Sequence, residues 1–288
     1  MIQKTFSEHL KDKFGVKVYK LSLDGGMSCP NRDGSLSDKG CIFCSDGSGA
    51  FAQEYNGDII GQLERAKSLV ENKCKSGKYI AYFQSFSNTY AKVEYLREIF
   101  YKAISPDYIV GLAVATRPDC LGEEVVSLLD EINKIKPVTI ELGLQTIKQE
   151  SVKYIRRGYE NEVFDRAVLD LKNISVDVVV HMIIGLPGET HEDMVNTAKY
   201  ISDSGVNGIK FHLLHIIKGT DLEKDFLKGK VKVLSLEEYT EILIKCIGAL
   251  REDIIIHRIT GDGAKADLVA PLWSADKKRV LNYINSRI

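Results

Sequence analysis

Short apolar, β-branched runs alternate along the chain with stretches whose apolar residues recur every three or four positions. The runs are Val16 to Leu23, Tyr79 to Phe83, Tyr108 to Ala115, Val138 to Leu144, Val176 to Ile184 and Gly208 to Leu214, with a seventh at Ile254 to Ile259. Several are nearly continuous Val, Ile and Leu, the pattern of parallel strands covered on both faces. Between them, Val93, Leu96, Phe100 and Ala103 make one helical stripe. Phe164, Ala167, Val168 and Leu171 make a second, and Met194, Val195, Ala198 and Ile201 a third. Thr190 to Asp193 and Ser235 to Glu238 have capping-box spacing, and Gly205 is placed to close a helix. Repeated strand–helix order with right-handed crossovers gives a parallel barrel or a doubly wound sheet. In both, reactive groups gather at the carboxyl ends of strands. No Pro-, Gly- or Ser-rich linker divides the chain. The pattern predicts a single α/β domain, with a core over about 16–215 and a C-terminal extension over about 216–288.

Bulk properties narrow the function classes. The chain has 288 residues and a net charge of −1, so no global basic field advertises nucleic acid, although a local patch would suffice. No apolar run approaches the ~20 residues of a membrane helix. Met1 to Thr5 leads into a polar segment, not a signal-peptide core, so a cytoplasmic protein without a membrane partner is expected. Of six cysteines, Cys29, Cys41 and Cys44 fall within sixteen residues, while Cys74, Cys120 and Cys246 are scattered. In a cytoplasmic chain such a cluster points to metal or to chemistry, not to a disulfide framework.

The cluster follows the first strand, as Ser28-Cys29-Pro30-Asn31-Arg32-Asp33-Gly34 through Gly40-Cys41-Ile42-Phe43-Cys44. The Cys41/Cys44 pair is a C-x-x-C, and Cys29 adds a thiol across an eleven-residue excursion. A structural zinc site wants four closed ligands, and the loop offers no His and no fourth Cys. A redox dithiol needs only the pair and leaves Cys29 unexplained. An iron–sulfur cluster with three protein thiolates uses all three and keeps one iron open for an outside ligand.

A C-x(n)-C-x-x-C loop directly after the first strand of a β/α barrel resembles the radical S-adenosylmethionine superfamily. The long first spacing and Ser-Cys-Pro-Asn-Arg-Asp-Gly are similar to its YhcC-like branch, related to the elongator catalytic subunit and the oxygen-independent coproporphyrinogen oxidases. The resemblance covers almost the whole chain. It implies a partial (β/α)6 TIM-type barrel with a C-terminal extension. It also implies a [4Fe-4S] cluster on Cys29, Cys41 and Cys44, and S-adenosylmethionine chelating the open iron. A 5′-deoxyadenosyl radical then abstracts hydrogen from the substrate. An electron donor such as flavodoxin or ferredoxin is the implied protein partner.

Further positions carry the resemblance. After the second strand, Gln84, Ser87 and Asn88 stand where the superfamily has a glycine-rich turn against the methionyl amino group, though such residues also simply make turns. In Ala115-Thr116-Arg117-Pro118-Asp119-Cys120, Ala115 takes a position where relatives often have Glu. Cys120 is a catalytic candidate near the active face, with a buried small hydrophobe as its bland reading. Glu141 and Gln145 share one face of the fourth strand and need partners if they point inward. By resemblance, Gln145 and Arg157 contact the ribose and carboxylate of the cofactor; the bland reading of Arg157 is a solvated helix-end arginine. His181-Met182-Ile183-Ile184-Gly185-Leu186-Pro187-Gly188 is similar to the adenine-binding turn, with His181 either a ribose contact or a satisfied core histidine. His212, His215, His257-Arg258-Ile259-Thr260-Gly261-Asp262-Gly263 and Trp273 are substrate-contact candidates if they lie over the barrel mouth. Lys277-Lys278-Arg279 reads as a solvated helix face.

Two substrate classes follow. One is wobble uridine in tRNA, altered at C5 from carboxymethylaminomethyl to aminomethyl, as the elongator-like resemblance implies. The other is a small molecule such as a tetrapyrrole or a peptide-derived metabolite. A tRNA enzyme predicts a basic, partly aromatic mouth; a small-molecule enzyme predicts a deep pocket with few basic groups. A non-enzymatic metal-binding module is the third class.

Overall fold

Seven parallel strands form one curled sheet in the order β1-β2-β3-β4-β5-β6-β8. The computed structural model describes residues 4–45, 57–261 and 266–288. The strands are β1 (Tyr19–Leu23), β2 (Tyr79–Phe83), β3 (Ile109–Thr116), β4 (Val138–Gln145), β5 (Asp177–Ile184), β6 (Gly208–Leu213) and β8 (Ile255–Arg258). Each of the seven predicted runs overlaps one of them, with β3 and β4 each running one residue further. The sheet is the expected partial barrel, with one further strand added at its edge. β8 lies in the extension yet pairs parallel with β6, through Gly208↔Ile255, Ile209↔Ile256 and Lys210↔Arg258. An edge strand leaves backbone groups unpaired, and β8 satisfies those of β6.

Helices cover the outer face: α2 (Ile59–Ser68), α3 (Val93–Ile104), α4 (Glu123–Asn133), α5 (Gln149–Tyr154), α6 (Asn161–Asn173), α7 (His191–Asp203) and α9 (Leu236–Gly248). The predicted stripes face the sheet, with Leu96, Phe100 and Ala103 of α3 and all four apolar residues of the α6 stripe buried. Both predicted capping boxes are formed, at Thr190/Asp193 and Ser235/Glu238, and Gly205 closes α7 at φ +78°. Alternate strand residues, such as Leu21, Phe83, Val114, Leu142, Val180 and Phe211, meet these helices in the main core.

Two pieces close the ends of the half-barrel. α1 (Phe6–Phe14) seats Leu10 against Val18, Ile80, Tyr82, Ala113 and Ala115, inside the sheet near the amino ends of the strands. At the other end, β7 (Ile216–Ile217) and β9 (Leu268–Ala270) form an antiparallel pair beside α8 (Asp221–Leu227). There Leu222 N–H donates to the Ile42 carbonyl at 3.0 Å, joining the extension to the cysteine loop. The last helix, α10 (Lys277–Asn285), buries Val280 and Ile284 and exposes Lys277, Lys278 and Arg279, as a solvated face requires. Among the described residues no helix is long and apolar enough to cross a membrane.

Candidate active site

The cysteine loop leaves β1 through a buried clamp. Gln62 Oε1 accepts from Asp24 N–H at 2.9 Å and its Nε2 donates back to the Asp24 carbonyl at 2.8 Å. Asn31 then organises the turn: its carbonyl accepts from Gly40 N–H, and its Nδ2 donates to the Arg156 carbonyl at 2.6 Å and to Cys41 Sγ at 3.4 Å. The C-x-x-C closes with Cys44 N–H donating to the Cys41 carbonyl at 3.0 Å. A hydrogen bond from Cys44 draws the Cys41 thiol down to about 7, aided by Asn31 and by the charges of Arg117 and Arg156; the same sharing and burial push Cys44 well up. Thiolate, not thiol, is the metal ligand, so this loop is prepared for metal.

Cys29, Cys41 and Cys44 line one cavity of about 350 Å³, together with the inward residues of the strands. Three of the four non-glycine residues with left-handed backbone among the described ones belong to this place. Phe86 (φ 59°) and Gln145 (φ 64°) line it, and Arg156 (φ 57°) turns its carbonyl to Asn31. Such strain persists where the surroundings over-determine it, as at functional sites. Gly143 is required below Gln145, because a Cβ there would sit 2.5 Å from the Gln145 amide nitrogen.

Beneath the thiols lies an ion cluster. Glu141 is 1% exposed and accepts from Lys20 Nζ (2.6 Å), Lys210 Nζ (2.5 Å), Tyr82 Oη (2.7 Å) and His181 Nε2 (2.9 Å). Burial opposes ionisation of Glu141, but Lys20, Lys210 and His181 outweigh it, and its carboxyl lies well below the usual range. Burial draws Lys210 down to about 7 despite Glu141. The inward-pointing Glu141 thus has the partners its position demands. Ala115 and Glu141 pair in register across β3 and β4, so a carboxylate absent from β3 stands one strand away.

Other predicted residues divide. Gln84, Ser87, Glu141, Gln145, Arg157, His181, His212 and Arg258 line the cavity, whereas Gly185, Leu186 and Pro187 line a neighbouring hollow of about 280 Å³ with Lys230, Lys232 and Leu234. Arg157 is 1% exposed, and all five of its N–H groups are committed. They go to the carbonyls of Leu144, Thr146 and Tyr159 and to Asn161 Oδ1. In this conformation it holds the end of β4 and leaves no donor for a cofactor carboxylate. Asn88 Nδ2 likewise donates to the Ala115 carbonyl at 2.8 Å and is not among the described lining residues. Cys120 is also off the cavity wall, and burial pushes its thiol up to about 12, which fits the bland reading over the catalytic one.

Of the other substrate candidates, His257 lies away from the mouth, and His215 and Trp273 are held by other groups. His257 stacks on Phe6 at 4.0 Å towards the plugged end, because the register shift between β6 and β8 turns it under the sheet. His215 Nε2 pairs with Ser274 Oγ at 3.1 Å, and Trp273 Nε1 donates to the Leu234 carbonyl at 2.9 Å while its ring packs near Tyr239. Asp262 and Gly263 lie outside the described residues. Lys20, Tyr82, Arg117 and Lys210 were not singled out from the sequence. Lys20 and Lys210 are the lysines within β1 and β6, placed among apolar strand neighbours, which was the available signal.

A model of the radical SAM superfamily matches residues 34–201, and one of the radical SAM C-terminal domain matches residues 206–288. The chain belongs to the radical SAM superfamily. It is 43% identical to the uncharacterized protein YtqA of Bacillus subtilis over 285 residues, 99% of this chain and 88% of that protein. It is 38% identical to protein YhcC of Escherichia coli over 273 residues, 94% of this chain and 87% of that one. A shorter match, 31% identical over 137 residues, joins 46% of the chain to 25% of the tRNA uridine(34) acetyltransferase of Methanocaldococcus jannaschii. Among solved structures, the archaeal Methanocaldococcus infernus Elp3 with an N-terminal deletion aligns at TM-score 0.69 and 19% identity. That alignment covers 94% of this chain and 63% of the other, and shows a shared fold.

Radical SAM enzymes use a [4Fe-4S] cluster and S-adenosylmethionine, and the residues present fit both. Three thiols line one cavity, one already drawn towards thiolate, and His212 Nε2 is buried beside it without a hydrogen-bond partner among the described residues. Among the described residues no three thiol, imidazole or carboxylate groups converge on a single ion. A cluster distributes its thiolates over separate irons.

Proposed function

We propose that this radical SAM enzyme modifies wobble uridine in tRNA at C5, converting a carboxymethylaminomethyl group to aminomethyl. Loss of a hydrogen atom and one electron from the N-bound methylene gives an imine, and water splits it into the amine and glyoxylate, with S-adenosylmethionine consumed as the oxidant. The observation that carries the reading is the relation to a tRNA uridine(34) acetyltransferase, which directs attention to that nucleoside. The surroundings of the cavity support it. Arg32, Phe43 and Phe86 are among its lining residues, a basic and aromatic composition suited to a phosphodiester and a splayed base. Lys224 and Lys228 flank Ile42 of the cysteine loop, and Lys230 and Lys232 flank the Gly185 turn. Cations so placed suit a polyanion arriving at the mouth.

In this reading Cys29, Cys41 and Cys44 hold the cluster, with Gln84, Ser87, Gln145 and the Gly185-Leu186-Pro187 turn around the cofactor. When bound, the reduced cluster and S-adenosylmethionine supply a radical able to take hydrogen from an unactivated C–H bond. The chain orients the substrate and excludes water from the cavity, and a flavodoxin- or ferredoxin-type donor supplies the electron. Comparing modified nucleosides in tRNA from cells with and without the protein tests the reading. Loss of the protein is expected to leave carboxymethylaminomethyluridine in place of its aminomethyl product. An unchanged profile would overturn the tRNA assignment and turn the search to small molecules.

A further inference from the structure

Charge on the cavity wall does not balance. Glu141 is the one carboxylate among the described lining residues, and it already serves Lys20 and Lys210. Lys210 Nζ spends two hydrogens, on Glu141 Oε2 and on Tyr82 Oη at 3.3 Å, and has a third. Two residues along the same face of β6, His212 presents Nε2, buried and without a partner among the described residues. Its ring lies 4.9 Å from that of His181, whose Nε2 is taken by Glu141. A buried excess of cation is costly, and an incoming anion relieves it.

We propose that Lys210, with His212 beside it, seats a carboxylate carried by the substrate. The inference rests on the reading above and deepens it, since the carboxymethyl group of the proposed substrate bears such an anion. The groups facing Lys210 are Lys20 on β1, Tyr82 on β2, Glu141 on β4, His181 on β5, His212 on β6, and His257 and Arg258 on β8. A ligand anion added to this set favours the ammonium form, so binding just above neutral pH takes up a proton.

The test uses cluster-reconstituted protein saturated with S-adenosylmethionine, so that the carboxylate measured is not that of the cofactor. The probes are N-methylglycine against N-methylglycinamide, and 5-carboxymethylaminomethyluridine against its amide. They are titrated at pH 8 in two buffers of different ionisation heat. The acid of each pair is expected to bind about tenfold or more tightly than the amide, with proton uptake. Lys210→Met removes the preference and the uptake and leaves amide binding unchanged. Lys210→Arg keeps the preference without the uptake, because a guanidinium stays charged; this variant decides the matter if the methionine variant does not fold. Absence of an acid preference in the parent, or its persistence in Lys210→Met, overturns the proposal. So does weakened S-adenosylmethionine binding in Lys210→Met, which would assign the seat to the cofactor. The tRNA profile is a separate readout. Unchanged tRNA with the N-methylglycine preference intact removes the tRNA reading alone, and altered tRNA without any acid preference removes the seat alone.

Discussion

Replacing Glu141 with Gln keeps the shape of the most connected side chain in the cavity and removes its charge. Glu141 accepts from Lys20, Lys210, Tyr82 and His181, and its side chain is fully buried between the two lysines. Taking one partner from a buried ion pair costs about 3–5 kcal/mol, because the remaining charge stays desolvated. At roughly 2 °C per kcal/mol for a chain of this length, the melting temperature should fall by about 6–10 °C. The loss should depend on pH. Without the carboxylate, Lys210 sheds its proton more readily in the folded state than in the unfolded one. Stability of the variant therefore rises with pH, and the deficit is larger at pH 6 than at pH 9. On the acid side, the depressed carboxyl of Glu141 stabilises the parent above the unfolded carboxyl range. That contribution is lost as pH falls through its lowered value, narrowing the difference again. Scanning calorimetry of the two proteins at several pH values measures this, with the triple variant carrying Lys20→Met and Lys210→Met as a control expected to recover most of the loss. A fall below about 2 °C at pH 6 would refute the reasoning, since it would mean the cluster is hydrated enough to tolerate an unmatched cation.

Lys210→Met alone should flatten the pH dependence. The lysine is lowered to about 7 in the folded chain, so the parent gains stability as pH rises from about 7 towards the unfolded lysine value, and urea unfolding at pH 7 and 9 should show that gain vanish in the variant. Arg157→Lys should cost more than about 3 kcal/mol by the same measurement, because one ammonium cannot replace a fork bonded to three carbonyls and Asn161. Gly208→Ala would place a Cβ 2.8 Å from the His257 ring and 3.0 Å from the Ile255 carbonyl; about 1–3 kcal/mol should be lost, with faster amide exchange in β8. Cys29→Ala, Cys41→Ala and Cys44→Ala should each lower the iron retained after anaerobic reconstitution, while Cys74→Ala, remote from the cavity, should retain the parental iron content.

Periodicity along the chain was enough to place every strand of the main sheet, and the stripes of α3, α6 and α7 were readable because each buries one face. The boxes at Thr190 and Ser235 were legible for the same reason, being bonds between residues three apart. The three-cysteine loop announced its chemistry through residue type and spacing. Less could be said of Arg157, whose solvated reading missed the ring of carbonyls around it. Those acceptors belong to a strand end and a turn brought together only on folding. His215, His257 and Trp273 were grouped with Arg258 by nearness in sequence. The register shift beside β8, with hydrogen bonds to Ser274 and Leu234, sends them elsewhere.

By itself the sequence determined strand and helix periods, caps and the metal-binding character of one loop, all properties set by dihedral preference and by neighbours a few residues apart. Tertiary structure alone decided that β8 extends the sheet, that α1 plugs its lower end, and that Lys20 and Lys210 meet Glu141 across 121 and 69 residues of chain. Those contacts form because closing the half-barrel buries the inward side chains together. A buried charge then takes whichever partner the closure brings within reach.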